Sequence, residues 1–415
     1  MMTQHEEHWV STWGNAISIA DRKPENYAKN LTLRYPFRPM FDGKAVRITL
    51  DNFCGTEDVI VNKVTIAETM TKTALTEAMM PQKDKNHTQD SIPHPKIDLA
   101  RSIQTQTLAV VTFNGEREVR IPKGESVLSD AISFQVERGR DLSITIYLKD
   151  FTQMRSGVLI TGPLSKGFYS VGDYTESEEL PLDLTRNTNM FYFLSNVDVL
   201  TTERARAVIC YGDSITSQAW PDELALRVLE QENRPQYTSI VRRAASGTRI
   251  LRQYDNITYD SYGLKGDIRF PHECQVSGAD AIIIQHGIND IIHPVGVEVN
   301  PFRPWSDLPT AEEMIDGLRR YIAWAREYKL KVYMGTLLPI YGWRTYEPFR
   351  DELRCKVNEW IRTTDEIDGC IDFDKAVRNP DKPEAFADGY DSGDHLHPSL
   401  AAYKRMAQEV PEDLL

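Results

Sequence analysis

The chain has 415 residues, 41% of them hydrophobic, which exceeds one ordinary domain and suffices for two cores. Its 61 acidic residues outnumber 48 basic ones, and the net charge of −13 disfavours a nucleic acid or an anionic membrane surface as the main partner. No apolar stretch reaches the length of a membrane span.

The opening Met1-Met2-Thr3-Gln4-His5-Glu6-Glu7-His8-Trp9 has neither a basic start nor an apolar core, so no secretory signal is read there and a cytoplasmic protein is expected. Cys54, Cys210, Cys274, Cys355 and Cys370 are scattered and odd in number, which predicts free thiols.

Strands dominate up to about residue 200. Lys44 to Leu50, Val59 to Ile66, Thr107 to Phe113 and Asp141 to Leu148 alternate between two faces. Turn signals separate them at Asp42-Gly43, Asn114-Gly115 and Lys123-Gly124. The pattern predicts an antiparallel β-sandwich, jelly-roll-like. Residues 71–103 are long, polar and interrupted by Pro81, Pro93 and Pro95, consistent with a solvated hairpin or with an arm over a site or a partner subunit.

The organisation changes around Val199 to Arg204, which divides the chain into 1–200 and 201–415. Beyond it, apolar strands near 207–211, 238–242, 280–285, 331–336 and 370–373 alternate with helical stretches near 218–232, 311–328, 347–364 and 399–409. Alternation of this kind predicts a parallel sheet with helices on both faces. Met314, Ile315, Leu318, Tyr321, Ile322 and Ala325 recur at helical spacing and are read as contacts with that sheet.

Chemistry gathers where strands end. Gly212-Asp213-Ser214 closes the first strand of the second part, Ser246-Gly247-Thr248 follows the second, and Gly287-Ile288-Asn289-Asp290 follows the third. That edge of a parallel sheet is where α/β enzymes place ligands. Near the C-terminus, Asp394-His395-Leu396-His397-Pro398 supplies a base and a carboxylate to orient it. Each run also has a plainer reading. Gly247 alone fits a turn, Asn289-Asp290 fits an Asx-turn or helix cap, and Asp213 and Asp290 fit carboxylates that order loops. His395 is a second candidate base. Asp394, His395 and His397 could together hold zinc, although a serine triad accounts better for two of them, and no metal site is assigned.

The four runs in this order resemble the SGNH/GDSL hydrolase superfamily, whose signature is a Ser in Gly-Asp-Ser, a Gly, an Asn in Gly-x-Asn-Asp and a His in Asp-x-x-His. The resemblance implies a flavodoxin-like parallel-sheet hydrolase domain. It assigns Ser214 as nucleophile, His397 as general base and then acid, and Asp394 as the carboxylate behind it. The N–H groups of Ser214 and Gly247 and the amide of Asn289 would form the oxyanion hole. No cofactor is implied. Two departures stand out: Arg242 occupies the place where the family often has an Asn five residues before the Gly, and Ile288 replaces a common Thr. In the first part, the segments around Trp13, Leu31 to Arg34, Phe53 to Gly55, Val111 to Gly115 and Val127 to Asp130 are similar to the sandwich that precedes the catalytic domain in a group of bacterial SGNH esterases.

Several two-domain relatives with such a sandwich deacetylate carbohydrates, so the resemblance implies a serine esterase acting on small acyl groups, above all acetyl, carried by a carbohydrate. A lipase or thioesterase of the same fold and an inactive glycan-binding protein are the alternatives. His286 is expected either to pack at the sheet edge or to line the site. Trp305 and Trp343 are expected to form a sugar-stacking or acyl-binding wall, or to plug the domain interface.

Overall fold

The computed structural model describes residues 6–20, 26–70, 101–231, 235–256 and 258–415. The expected arm at 71–103 therefore lies, up to residue 100, outside the described residues.

Beside three smaller antiparallel sheets among the described residues, two larger antiparallel sheets form the body of the N-terminal half. In one, the strand Gly43–Asp51 pairs with Leu194–Thr201 on one side and with Ser126–Leu128 and Ile132–Val136 on the other, and His8–Gly14 lies outside Leu194–Thr201. The other runs, in order, Thr185–Thr188, Gly167–Val171, Leu31–Phe37, Leu142–Leu148, Lys63–Glu68 and Ala109–Val111. Val46, Ile48 and Leu50 of the first sheet and Leu33, Tyr35, Ile144 and Ile146 of the second are buried in one core. Trp13 meets Phe37 and Phe191 across it at ring-centroid distances of 6.1 and 5.9 Å. The expected single strand from Val59 to Ile66 is two strands, Val59–Val61 and Lys63–Glu68. The first pairs with Val119–Ile121 and the second with Leu142–Leu148, so alternation continued in the sequence while the partner changed.

The C-terminal half is a five-stranded parallel sheet of β1 (Ala205–Gly212), β2 (Tyr237–Ala244), β3 (Ala279–Gln285), β4 (Lys331–Gly335) and β5 (Gly369–Ile371), in the order 2-1-3-4-5. Its central strands β1 and β3 carry the apolar runs Ala207–Tyr211 and Ala281–Ile284, buried as expected of a parallel sheet covered on both faces. The helices are α1 (Ser214–Ser217), α2 (Trp220–Leu229), α3 (Gly266–Glu273), α4 (Ile288–Ile292), α5 (Ala311–Glu327), α6 (Pro348–Thr363), α7 (Phe373–Val377) and α8 (Leu400–Glu409). A capping box at Thr310 and Glu313 starts α5, a device that stabilises a helix by about 1 kcal/mol. Its buried Met314, Leu318, Tyr321 and Ile322 each add about 1.5–3 kcal/mol of apolar burial. Helix α3 has no counterpart in the sequence reading: it is short, opens on Gly266 and contains Pro271, so helical periodicity was too brief to register.

The two halves share buried contacts. The backbone N–H of Ser11 donates to Ser277 O at 2.9 Å, and Arg243 of β2 donates to the carbonyls of Asn15 and Ser195 at 2.6 and 2.8 Å. The five cysteines are unpaired. Among the described residues no helix is long and apolar enough to cross a membrane.

Candidate functional site

Ser214 is the first residue of α1, directly after the carboxyl end of β1. Its N–H is thus one of the helix's unfilled donors. Asp213 caps the helix by accepting from Ile215 N at 3.0 Å. Ser214 is 9% exposed, and its Oγ lies 2.8 Å from His397 Nε2. His397 Nδ1 in turn lies 2.6 Å from Asp394 Oδ2. The other Asp394 oxygen accepts from the backbone N–H of Leu396 and His397 at 3.0 and 2.8 Å. Burial alone would raise the Asp394 pKa. The bonds from the His397 ring, from its backbone and from Leu396 prevail and hold it at about 2.

A second cluster of loops surrounds the same strand ends. Gly247 has φ +81°, and a Cβ there would sit 2.0 Å from the Tyr262 ring, so both backbone conformation and space require glycine. Asn289 Nδ2 donates to Thr248 O at 3.0 Å. Asp290 accepts from Ile250 N and Leu251 N at 2.7 and 3.0 Å, which ties the end of that loop to α4. Burial raises Asp213 to about 7 and Asp290 to about 6, against the opposing pull of these backbone bonds.

Arg269 of α3 belongs to none of the sequence motifs. It is 1% exposed, donates to Gly212 O at 3.2 Å, Thr248 Oγ1 at 2.8 Å and Arg243 O at 3.2 Å, and pairs with Glu273 through both carboxylate oxygens. One guanidinium thereby joins the ends of β1 and β2 to the Ser246–Thr248 loop. Its only local signal in the sequence is the Arg269–Glu273 spacing of four, on a helix too short and Pro-interrupted to show periodicity.

His286 does not line an open wall. It is 2% exposed, with Nε2 3.1 Å from Thr248 O and Nδ1 3.0 Å from Tyr321 Oη. Burial and the charge of Arg269 push its pKa down to about 3, so it is a neutral support beneath the loop. Trp305 packs on α6, against Phe349 at 6.2 Å and under the Arg350 guanidinium at 5.5 Å. Trp343 is partly buried against the core with Arg344 over its ring at 4.5 Å. The aromatic group beside the Ser246–Thr248 loop consists of tyrosines instead: Tyr262 stacks with Tyr259 at 5.8 Å and lies near Tyr254 at 5.7 Å and His293 at 5.0 Å. Arg242 pairs with Asp222 of α2 and donates to Ser165 Oγ of the N-terminal half at 3.0 Å and to Ser217 O of α1 at 3.3 Å.

His395 does not share the serine. Its Nδ1 pairs with Asp391. Among the described residues no group of three or more His, Cys, Asp or Glu side chains is arranged to hold a metal ion.

The sequence model of the GDSL-like lipase/acylhydrolase family matches residues 210–405, a span running from the end of β1 into α8. Residues 210–405 belong to this family. The C-terminal half is accordingly that of an acylhydrolase, a carboxylic ester hydrolase. Among solved structures, the chain is similar to a GDSL-like lipase from Bacteroides thetaiotaomicron VPI-5482, with 17% identity over 49% of this chain and 85% of that one and a TM-score of 0.34. It is also similar to a catalytic mutant of an acetylxylan esterase from Geobacillus stearothermophilus, with 14% identity over 49% and 91% and a TM-score of 0.36. An α/β hydrolase from the metagenome of Lake Arreo, Spain, shows 14% identity over 49% and 92% with a TM-score of 0.37. No curated protein matches the chain.

Proposed function

We propose that the acylhydrolase works as a serine esterase through Ser214, His397 and Asp394, and that it removes small acyl groups, above all acetyl, from a carbohydrate or similar polar alcohol. The observation that carries the mechanism is the continuous hydrogen-bonded chain Ser214 Oγ, His397 Nε2, His397 Nδ1 and Asp394 Oδ2. As Oγ attacks the ester carbonyl, His397 takes its proton and Asp394 stabilises the imidazolium. The carbonyl oxygen becomes an oxyanion facing the N–H groups of Ser214 and Gly247 and the amide of Asn289. Collapse expels the alcohol, protonated by His397, and leaves an acyl-serine. Water, deprotonated by the same histidine, then releases the acid and restores Ser214.

A polar alcohol is favoured by the loop that carries the base. Asp391, Ser392, Asp394 and His395 crowd it with exposed or half-exposed hydrogen-bonding groups. The second reading, a lipase- or thioesterase-type enzyme for longer acyl chains, draws on a pocket of about 330 Å³ between the halves, where Ile19, Val158, Leu159 and Met190 face Ser246 and Tyr262. An intact Ser–His–carboxylate chain speaks against an inactive glycan-binding protein.

Rates on p-nitrophenyl esters of increasing chain length, together with acetate release from acetylated oligosaccharides, separate the two substrate readings. A maximum at acetyl with release from the sugars supports the first, and a maximum at long chains supports the second. Ser214→Ala is expected to fold, to lose several orders of magnitude in turnover and to escape a serine-directed fluorophosphonate. Undiminished labelling of that variant would sink the assignment of the nucleophile.

A further inference from the structure

The loop that bears His397 holds a second histidine–carboxylate pair. Asp391 Oδ2 pairs with His395 Nδ1, while Asp391 Oδ1 accepts from the backbone N–H of His395 at 3.0 Å and of Gly393 at 2.7 Å. His395 adopts φ +64°, a conformation uncommon for a non-glycine residue. Its ring lies on Gly342, which has φ +93° and where a Cβ would come 2.8 Å from His395 Cγ. The side chain nonetheless remains 51% exposed. An exposed imidazole with no task would not need a carboxylate, a strained backbone and a bare glycine to hold it in place.

We propose that His395 is a substrate-positioning residue whose Nε2 accepts a hydrogen bond from a hydroxyl of the leaving alcohol next to the ester oxygen. With Nδ1–H donated to Asp391, the neutral ring presents Nε2 as an acceptor, and among the described residues Nε2 has no partner. The direction follows from the chemistry: His397 must deliver its proton to the departing oxygen, so the alcohol lies against the loop from Asp391 to His397. The substrate class so selected is an ester of a vicinal diol or polyol, and the selection is made on the alcohol side whatever the acyl group. The inference rests on His397 being the base.

The test compares 2-hydroxyethyl acetate with 2-methoxyethyl acetate, which share the acyl group and differ in that a methyl group replaces the hydroxyl hydrogen. Wild type is expected to prefer the hydroxyl ester. His395→Ala should lower kcat/KM on it about 5- to 10-fold, mainly through KM, and shrink the ratio between the two esters towards one. His395→Gln, which keeps an acceptor, should restore part of the ratio, and Asp391→Asn should reduce it. An equal loss on both esters, or no wild-type preference, overturns the proposal. If the enzyme accepts only longer acyl groups, the acetyl reading fails and the same alcohol pair is run with the acyl group it does accept. Binding of the two intact esters to Ser214→Ala, followed by ligand-observed NMR, gives a readout independent of turnover: equal affinity overturns the proposal.

Discussion

Asn289 carries two amide hydrogens, and one of them is already committed to Thr248 O. The second is available to a developing oxyanion, so the side chain can order the loop and stabilise charge at the same time. Asn289→Ala is expected to lower kcat by about 10²- to 10³-fold with little change in KM, in steady-state assays on a p-nitrophenyl ester. A raised KM at constant kcat would make it a substrate-binding residue instead. The base is tested by pH. Only a neutral imidazole can take the serine proton, so kcat/KM should fall on the acid side while Asp394, held at about 2, stays charged. His397→Ala should abolish this chemistry, Asp394→Asn should leave a reduced but measurable rate, and His395→Ala should keep the acid limb. A dead His395→Ala beside an active His397→Ala would require the triad to be redrawn.

At the scale of elements, three strand ends and one short helix make the candidate site. β1 leads to Ser214, β2 to Gly247 and β3 to Asn289, and α3 joins the first two through Arg269. This guanidinium is buried together with Glu273, so removing one partner leaves the other charge without compensation. Arg269→Ala is expected to destabilise the protein by about 3–5 kcal/mol in denaturant unfolding, the range for breaking a buried pair. A loss of turnover in the folded variant would follow from the release of Thr248 and Gly212. Unchanged stability would mean that the loop has other sufficient anchors.

Across the whole molecule, two buried carboxyls near the site set a pH dependence of stability. Asp213 and Asp290 have pKa values raised to about 7 and about 6, above those of the unfolded chain. Their contribution is fully present below about pH 4, where both states are protonated, and is lost progressively from there until pH passes the folded values of about 6 and 7, because over that window only the unfolded chain ionises freely. Asn can serve as a helix cap without ionising. Asp213→Asn should therefore raise the melting temperature relative to wild type more at pH 8 than at pH 5. An equal difference at the two pH values would show that Asp213 stays charged throughout.

Local pattern determined the larger features of this protein. Two-residue alternation marked the sandwich strands, alternating apolar strands and amphipathic helices marked the parallel sheet, and four short runs marked Ser214, Gly247, Asn289 and His397, because each of these signals resides in a few consecutive residues. The break between Val61 and Lys63, the helix Gly266–Glu273 and the burial of His286 were not legible. Each depends on what a distant segment places beside it: Val119–Ile121 against one strand, Gly212 and Thr248 against Arg269, Tyr321 against the imidazole. The same holds for His395. In sequence it differs from His397 only by two positions, whereas in the fold Nε2 of one reaches Ser214 and the ring of the other is held on Gly342 by Asp391. Spacing along a chain fixes which groups can share a turn, but only the packing of β1, the last loop and Gly342 decides which nitrogen faces the serine.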